Sequence, residues 1–121
     1  MVKQQVSELV FNAVHHVAVI CRDYARSKHF YCEILGLPVI RETYRAQRQS
    51  YKLDLALTPN TQLELFSFPQ PPARPSQPEA CGLRHLALTV ANLDAAVAHL
   101  QQAGVFVEPI RIDEFTQARF T

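Results

Sequence analysis

His16-Val17-Ala18-Val19-Ile20-Cys21-Arg22-Asp23-Tyr24 returns, at an offset of 69 positions, as His85-Leu86-Ala87-Leu88-Thr89-Val90-Ala91-Asn92-Leu93. Each copy opens with a short apolar run, residues 17–20 and 86–90, that predicts a strand. An Asp or Asn follows in each, and its side-chain oxygen can accept from the free N–H groups of a first helical turn. Helical spacing comes next: Phe30, Tyr31, Ile34 and Leu35 in the first copy, Leu93, Val97 and Leu100 in the second. Gly36 and Gly104 then stop the two helices, because glycine takes a positive φ at little cost.

Extended segments continue each copy, over residues 37–44 in the first and 105–112 in the second. The first adds two more predicted strands, 51–57 and 62–68, around the turn Thr58-Pro59-Asn60-Thr61. The expected architecture is therefore α+β, built from paired βαβββ modules. The domain reading is a single domain over 1–121: a first module over 13–68, a Pro-rich connector over 69–82, and a second module over 83–121. Five of the 8 prolines fall in the connector, where the missing N–H groups disfavour any regular element. The second module is expected to be incomplete. Its counterpart of the 15–68 stretch would run to residue 137, and the sequence stops at Thr121 with Arg119-Phe120 opening a third strand.

Composition narrows the function classes. The 121 residues are 48% hydrophobic and 19% charged, an ordinary globular balance. Twelve Lys and Arg against 11 Asp and Glu give a net charge of +1, so bulk electrostatics offers no nucleic acid or anionic membrane as partner. No apolar run approaches a membrane span, and the polar start, residues 1–8, does not read as a signal peptide. Cys21, Cys32 and Cys81 are an odd set without C-x-x-C spacing, which predicts free thiols and a cytoplasmic location. Cys21 and Cys32 read as small apolar packing residues. Three glycines exclude a dinucleotide-binding loop, and there is no G-x-S-x-G elbow.

Chemistry is expected at three residues. His16 and His85 hold the same place in the repeat, and a pseudo-twofold axis between modules would bring both imidazoles to one point. His15 is expected on the opposite side of the strand from His16. Glu64, in Leu63-Glu64-Leu65-Phe66, is an acid inside an apolar strand, and a carboxylate is rarely buried unless paired or bound to a cation. Two imidazoles and a carboxylate suit Ni, Zn, Co, Mn or Fe(II). Tyr44, Arg45, Arg48 and Lys52 form a basic-aromatic stretch that reads first as a solvated loop and second as a contact for an anionic substrate.

These residues resemble the vicinal oxygen chelate superfamily, which shares the glyoxalase/bleomycin resistance/dioxygenase fold. His15-His16-Val-Ala-Val-Ile, Phe30-Tyr31 before Leu35-Gly36-Leu37, Leu63-Glu64-Leu65 and Gly82-Leu-Arg-His85 are similar to its glyoxalase I branch, in particular to small bacterial glyoxalase-like proteins. The resemblance implies one divalent metal held by His16, Glu64 and His85; the family's fourth ligand, a Glu on the last strand of the second module, has no counterpart among these 121 residues. It implies a lactoylglutathione lyase-type lyase or isomerase acting on a small substrate with vicinal oxygens, Glu64 moving the proton. Fe(II) dioxygenase chemistry and a non-catalytic antibiotic-binding role are the alternatives on the same fold. A homodimer is expected, and pairing of the two modules within one chain fits the sequence equally.

Overall fold

A computed structural model describes residues 8–121, so most of the N-terminal reading over 1–8 lies outside the described residues. The chain divides into two compact units, Met1–Arg74 and Pro75–Thr121. The first unit runs β1 (His16–Ile20), α1 (Tyr24–His29), β2 (Val39–Arg45), β3 (Ser50–Thr58) and β4 (Thr61–Phe66). This is the βαβββ order read from the sequence. The sheet order is β1-β4-β3-β2, with β1 parallel to β4 and the other pairs antiparallel.

Local chemistry sets the boundaries. Asp23 caps α1 by accepting from the Arg26 N–H at 3.1 Å. A π-helical turn over Phe30–Ile34 then carries Tyr31 and Cys32 onto the sheet. Gly36, at φ 72°, turns the chain, and the Leu37 N–H returns to the Tyr31 carbonyl at 3.0 Å. That closure is one residue wider than the usual helix-ending motif, as a π-turn requires.

Alternation divides the sheet into two unlike faces. Leu53 pairs with Leu65 and Leu55 with Leu63, and all four are essentially inaccessible to water. Together with Cys21 they form the core, against which Val17, Val19, Tyr24, Tyr31 and Cys32 pack. Cys21 and Cys32 are thus packing residues, and burial raises both thiol pKa values. At the edge of this face Lys28 and Tyr24 both donate to Glu42, at 2.8 and 2.5 Å. These bonds hold the Glu42 carboxyl below its ordinary value, the Lys28 bond being the larger cause. The other face carries the alternate residues His16, Ala18, Lys52, Asp54, Gln62, Glu64 and Phe66.

In the second unit, α2 (Leu93–Gln102) begins at Asn92, whose side chain accepts from the Ala95 N–H at 3.0 Å. It ends at Gly104, φ 81°, with the Val105 N–H bonded to the Leu100 carbonyl and the Gly104 N–H to Gln101. β5 (Arg111–Ile112) and β6 (Arg119–Phe120) form a short antiparallel pair. Arg119 also grips Asp94 with two bonds of 2.8 and 3.1 Å, tying β6 to α2.

One expectation fails here. Residues 86–90 form no strand ladder with any described residue, and of 105–112 only Arg111–Ile112 is paired. The reason is non-local. In the first unit β1 takes its ladder from β4, and no strand among the described residues takes that part beside 86–90. Leu86, Leu88 and Val90 accordingly keep about half their surface exposed. The connector over 69–82 contains neither helix nor strand. No helix among the described residues is long and apolar enough to cross a membrane.

Candidate functional site

The polar face of the first unit brings two of the three predicted ligands together. β1 lies parallel beside β4 with Ala18 opposite Glu64, which sets His16 diagonally across from Glu64 on the same face. His16 Nδ1 stands 3.7 Å from Glu64 Oε2. The Glu64 residue is only 8% exposed, whereas His16 is open to solvent. The carboxylate therefore sits at the floor of the face and the imidazole at its rim.

Asp54 completes the floor, and the sequence reading missed it. It is the cross-strand partner of Glu64 and is 9% exposed. Its signal was present: Leu53-Asp54-Leu55 has the pattern of Leu63-Glu64-Leu65. Lys52 reaches between the two acids, its Nζ 2.9 Å from Asp54 Oδ1 and 3.8 Å from Glu64 Oε1. The shorter contact is an ion pair without hydrogen-bond alignment, since Asp54 Oδ1 is buried and has no hydrogen-bond partner. Two buried carboxylates thus share one ammonium. A carboxylate this far from water, sharing its one lysine with a second acid, is a setting that favours a further cation beside Glu64.

His15 is not where alternation had placed it. Its carbonyl still accepts from the Gln62 N–H of β4 at 2.9 Å, yet its Nδ1 lies 2.9 Å from His16 Nδ1. One ring must donate and the other accept, which fixes the His16 tautomer by whichever proton is shared.

His85 belongs to the second unit. There it lines an open groove of about 720 Å³ with residues 86–90, Leu93, Arg111 and Arg119–Phe120 among others. Among the described residues no three His, Cys, Asp or Glu side chains are gathered for a metal ion. The donors that do meet, an imidazole and a carboxylate beside a second acid, fit a divalent metal in kind. Of the basic-aromatic stretch, Lys52 joins this site directly, while Tyr44 packs against Tyr51 with ring centroids 4.7 Å apart.

Residues 13–121 match the Glyoxalase/Bleomycin resistance protein/Dioxygenase superfamily, and the chain belongs to that family. It is 60% identical to YaeR of Escherichia coli over 108 residues, covering 89% of this chain and 84% of that protein. It is 55% identical to YwkD of Bacillus subtilis, covering 93% and 88%. A solved glyoxalase family protein from Enterococcus faecalis shares 45% identity at a TM-score of 0.83, over 90% of this chain and 86% of that one. More distantly, the chain is 34% identical to a 2-epi-5-epi-valiolone epimerase from Actinomyces, of which it spans 61%. It is 25% identical to Leishmania major glyoxalase I, at a TM-score of 0.63 over 88% of this chain and 75% of that one.

Proposed function

We propose that this chain is a divalent-metal-dependent lyase or isomerase of glyoxalase type, acting on a small substrate with vicinal oxygens. The observation that carries the reading is the buried Glu64 carboxylate facing His16 across β1 and β4. In this reading the two modules form one domain and His16, Glu64 and His85 hold the ion. A bound metal would supply Lewis-acid stabilisation of negative charge on substrate oxygen. Glu64 takes and returns the proton on the carbon next to the carbonyl, a role that requires a carboxylate near the open face. Lys52 balances charge on the floor, and Asp54 keeps Lys52 from pairing fully with Glu64. The similarity to an epimerase and to a glyoxalase I supports a reaction of this class.

Three free thiols, buried at Cys21 and exposed at Cys81, suit a reducing compartment, and the cytoplasm is the proposed location. Exposed apolar side chains such as Ile20, Leu88 and Phe106 suit an assembly of two copies. Light scattering should then report a homodimer at micromolar concentration; monomer alone would remove that part of the proposal.

Elemental analysis of the purified chain tests the ligand set. Near-stoichiometric Ni, Zn, Co, Mn or Fe is expected, falling roughly 10-fold or more in His85→Ala and much less in His29→Ala, which changes a histidine of α1. Equal retention in both variants would refute the assignment. Turnover of the methylglyoxal–glutathione hemithioacetal tests the reaction.

A further inference from the structure

The basic stretch after β2 is split by the sheet. Register pairs Thr43 with Lys52 and Arg45 with Ser50, so Arg45 lies on the polar face with Lys52, Asp54 and Glu64. Lys52 is occupied by the two acids. Arg45 is not. Its guanidinium lies over the Phe66 ring, 5.1 Å from the centroid, and Nη2 donates to the Ser50 hydroxyl at 3.2 Å. Ser50 is fully buried and half-buried Phe66 forms the platform, so the guanidinium is held from beneath and behind.

Its charge nevertheless has no carboxylate partner among the described residues, and its Nε is buried without a hydrogen bond. A guanidinium has five N–H donors in a planar fork that matches carboxylate and phosphate oxygens two at a time. Here one donor is used, on a neutral hydroxyl. Arg48 adds a second cation nearby, over Phe68 at 5.3 Å, and Phe66 and Phe68 are parallel at 6.2 Å. Phe66 is two residues along β4 from Glu64, about 7 Å at the usual strand rise.

We infer that Arg45, mounted on Phe66 and Ser50, is an anion-binding subsite, and that the substrate carries a carboxylate or phosphate beyond its reacting carbon. The inference rests on the reading of Glu64 and His16 as the reacting end. It goes further by naming the chemical class at the other end and the residue that selects it.

The probes are inorganic phosphate and glycolate, titrated separately into isotope-labelled full-length protein and followed by NMR. Saturable shifts are expected at the Arg45 Nε–H and at the Arg45 and Ser50 amides. Arg45→Met, which keeps an apolar stem over Phe66, should weaken binding by roughly tenfold or more, the share of a charge-assisted hydrogen bond. Arg45→Lys, which keeps the charge and loses the fork, should recover only part. Saturation by phosphate alone assigns a phosphoryl group, and saturation by glycolate alone a carboxylate. Absence of any shift at Arg45, or binding equal in Arg45→Met and wild type, overturns the subsite. Arg45→Met should keep the wild-type metal content while losing the phosphate response, so failure of this subsite and failure of the metal reading are told apart.

Discussion

Glu64→Gln should lower kcat on the hemithioacetal by about 10²–10⁴-fold, the range a positioned acid–base group supplies. The amide has nearly the shape of the carboxylate but can neither hold the moving proton nor provide an anionic ligand. Metal content should therefore fall in the same variant. Folding should survive, because the nearer partner of Lys52 is Asp54, at 2.9 Å against 3.8 Å for Glu64. Circular dichroism on the same preparation separates loss of chemistry from loss of structure. Wild-type metal content and rate in Glu64→Gln would remove Glu64 from the site.

Leu65→Ala should have the largest effect on stability, about 2–5 kcal/mol in urea unfolding. Leu65 is fully buried and lies opposite both Val19 on β1 and Leu53 on β3. Truncation there opens a cavity beneath the strand that carries Glu64. Leu65→Met keeps the volume and should cost less than about 1.5 kcal/mol. A small loss in Leu65→Ala would mean that the two-faced sheet is not the stabilising core.

Much of this arrangement was legible from the repeat. The strand at His16, the caps at Asp23 and Asn92 and the stops at Gly36 and Gly104 are encoded within a few residues of where they act. What escaped was whatever depends on a partner far along the chain. The run 86–90 has the local pattern of a strand, yet a strand exists only through a neighbour's ladder, and none of the described residues supplies one. Asp54 has the same apolar flanks as Glu64, and only the β3–β4 register shows that the two acids stand side by side. Arg45 and Tyr44 looked equivalent in sequence; the register of β2 sends one to the polar face and the other to the tyrosines. Alternation set His15 apart from His16, and the 2.9 Å approach of their Nδ1 atoms is a side-chain contact that a strand pattern does not encode.

The parallel pairing of β1 with β4 also sets an order of assembly. Thr61 Oγ1 donates to the Val14 carbonyl across 47 positions of sequence, whereas β3 and β4 meet through the two-residue turn Pro59-Asn60. Short hairpins close in microseconds, while a long loop carries the greater closure entropy. During synthesis β1 emerges first and waits, without its ladder, until β4 has followed. The imidazole and the carboxylate come from the two ends of that long loop, so their meeting depends on its closure.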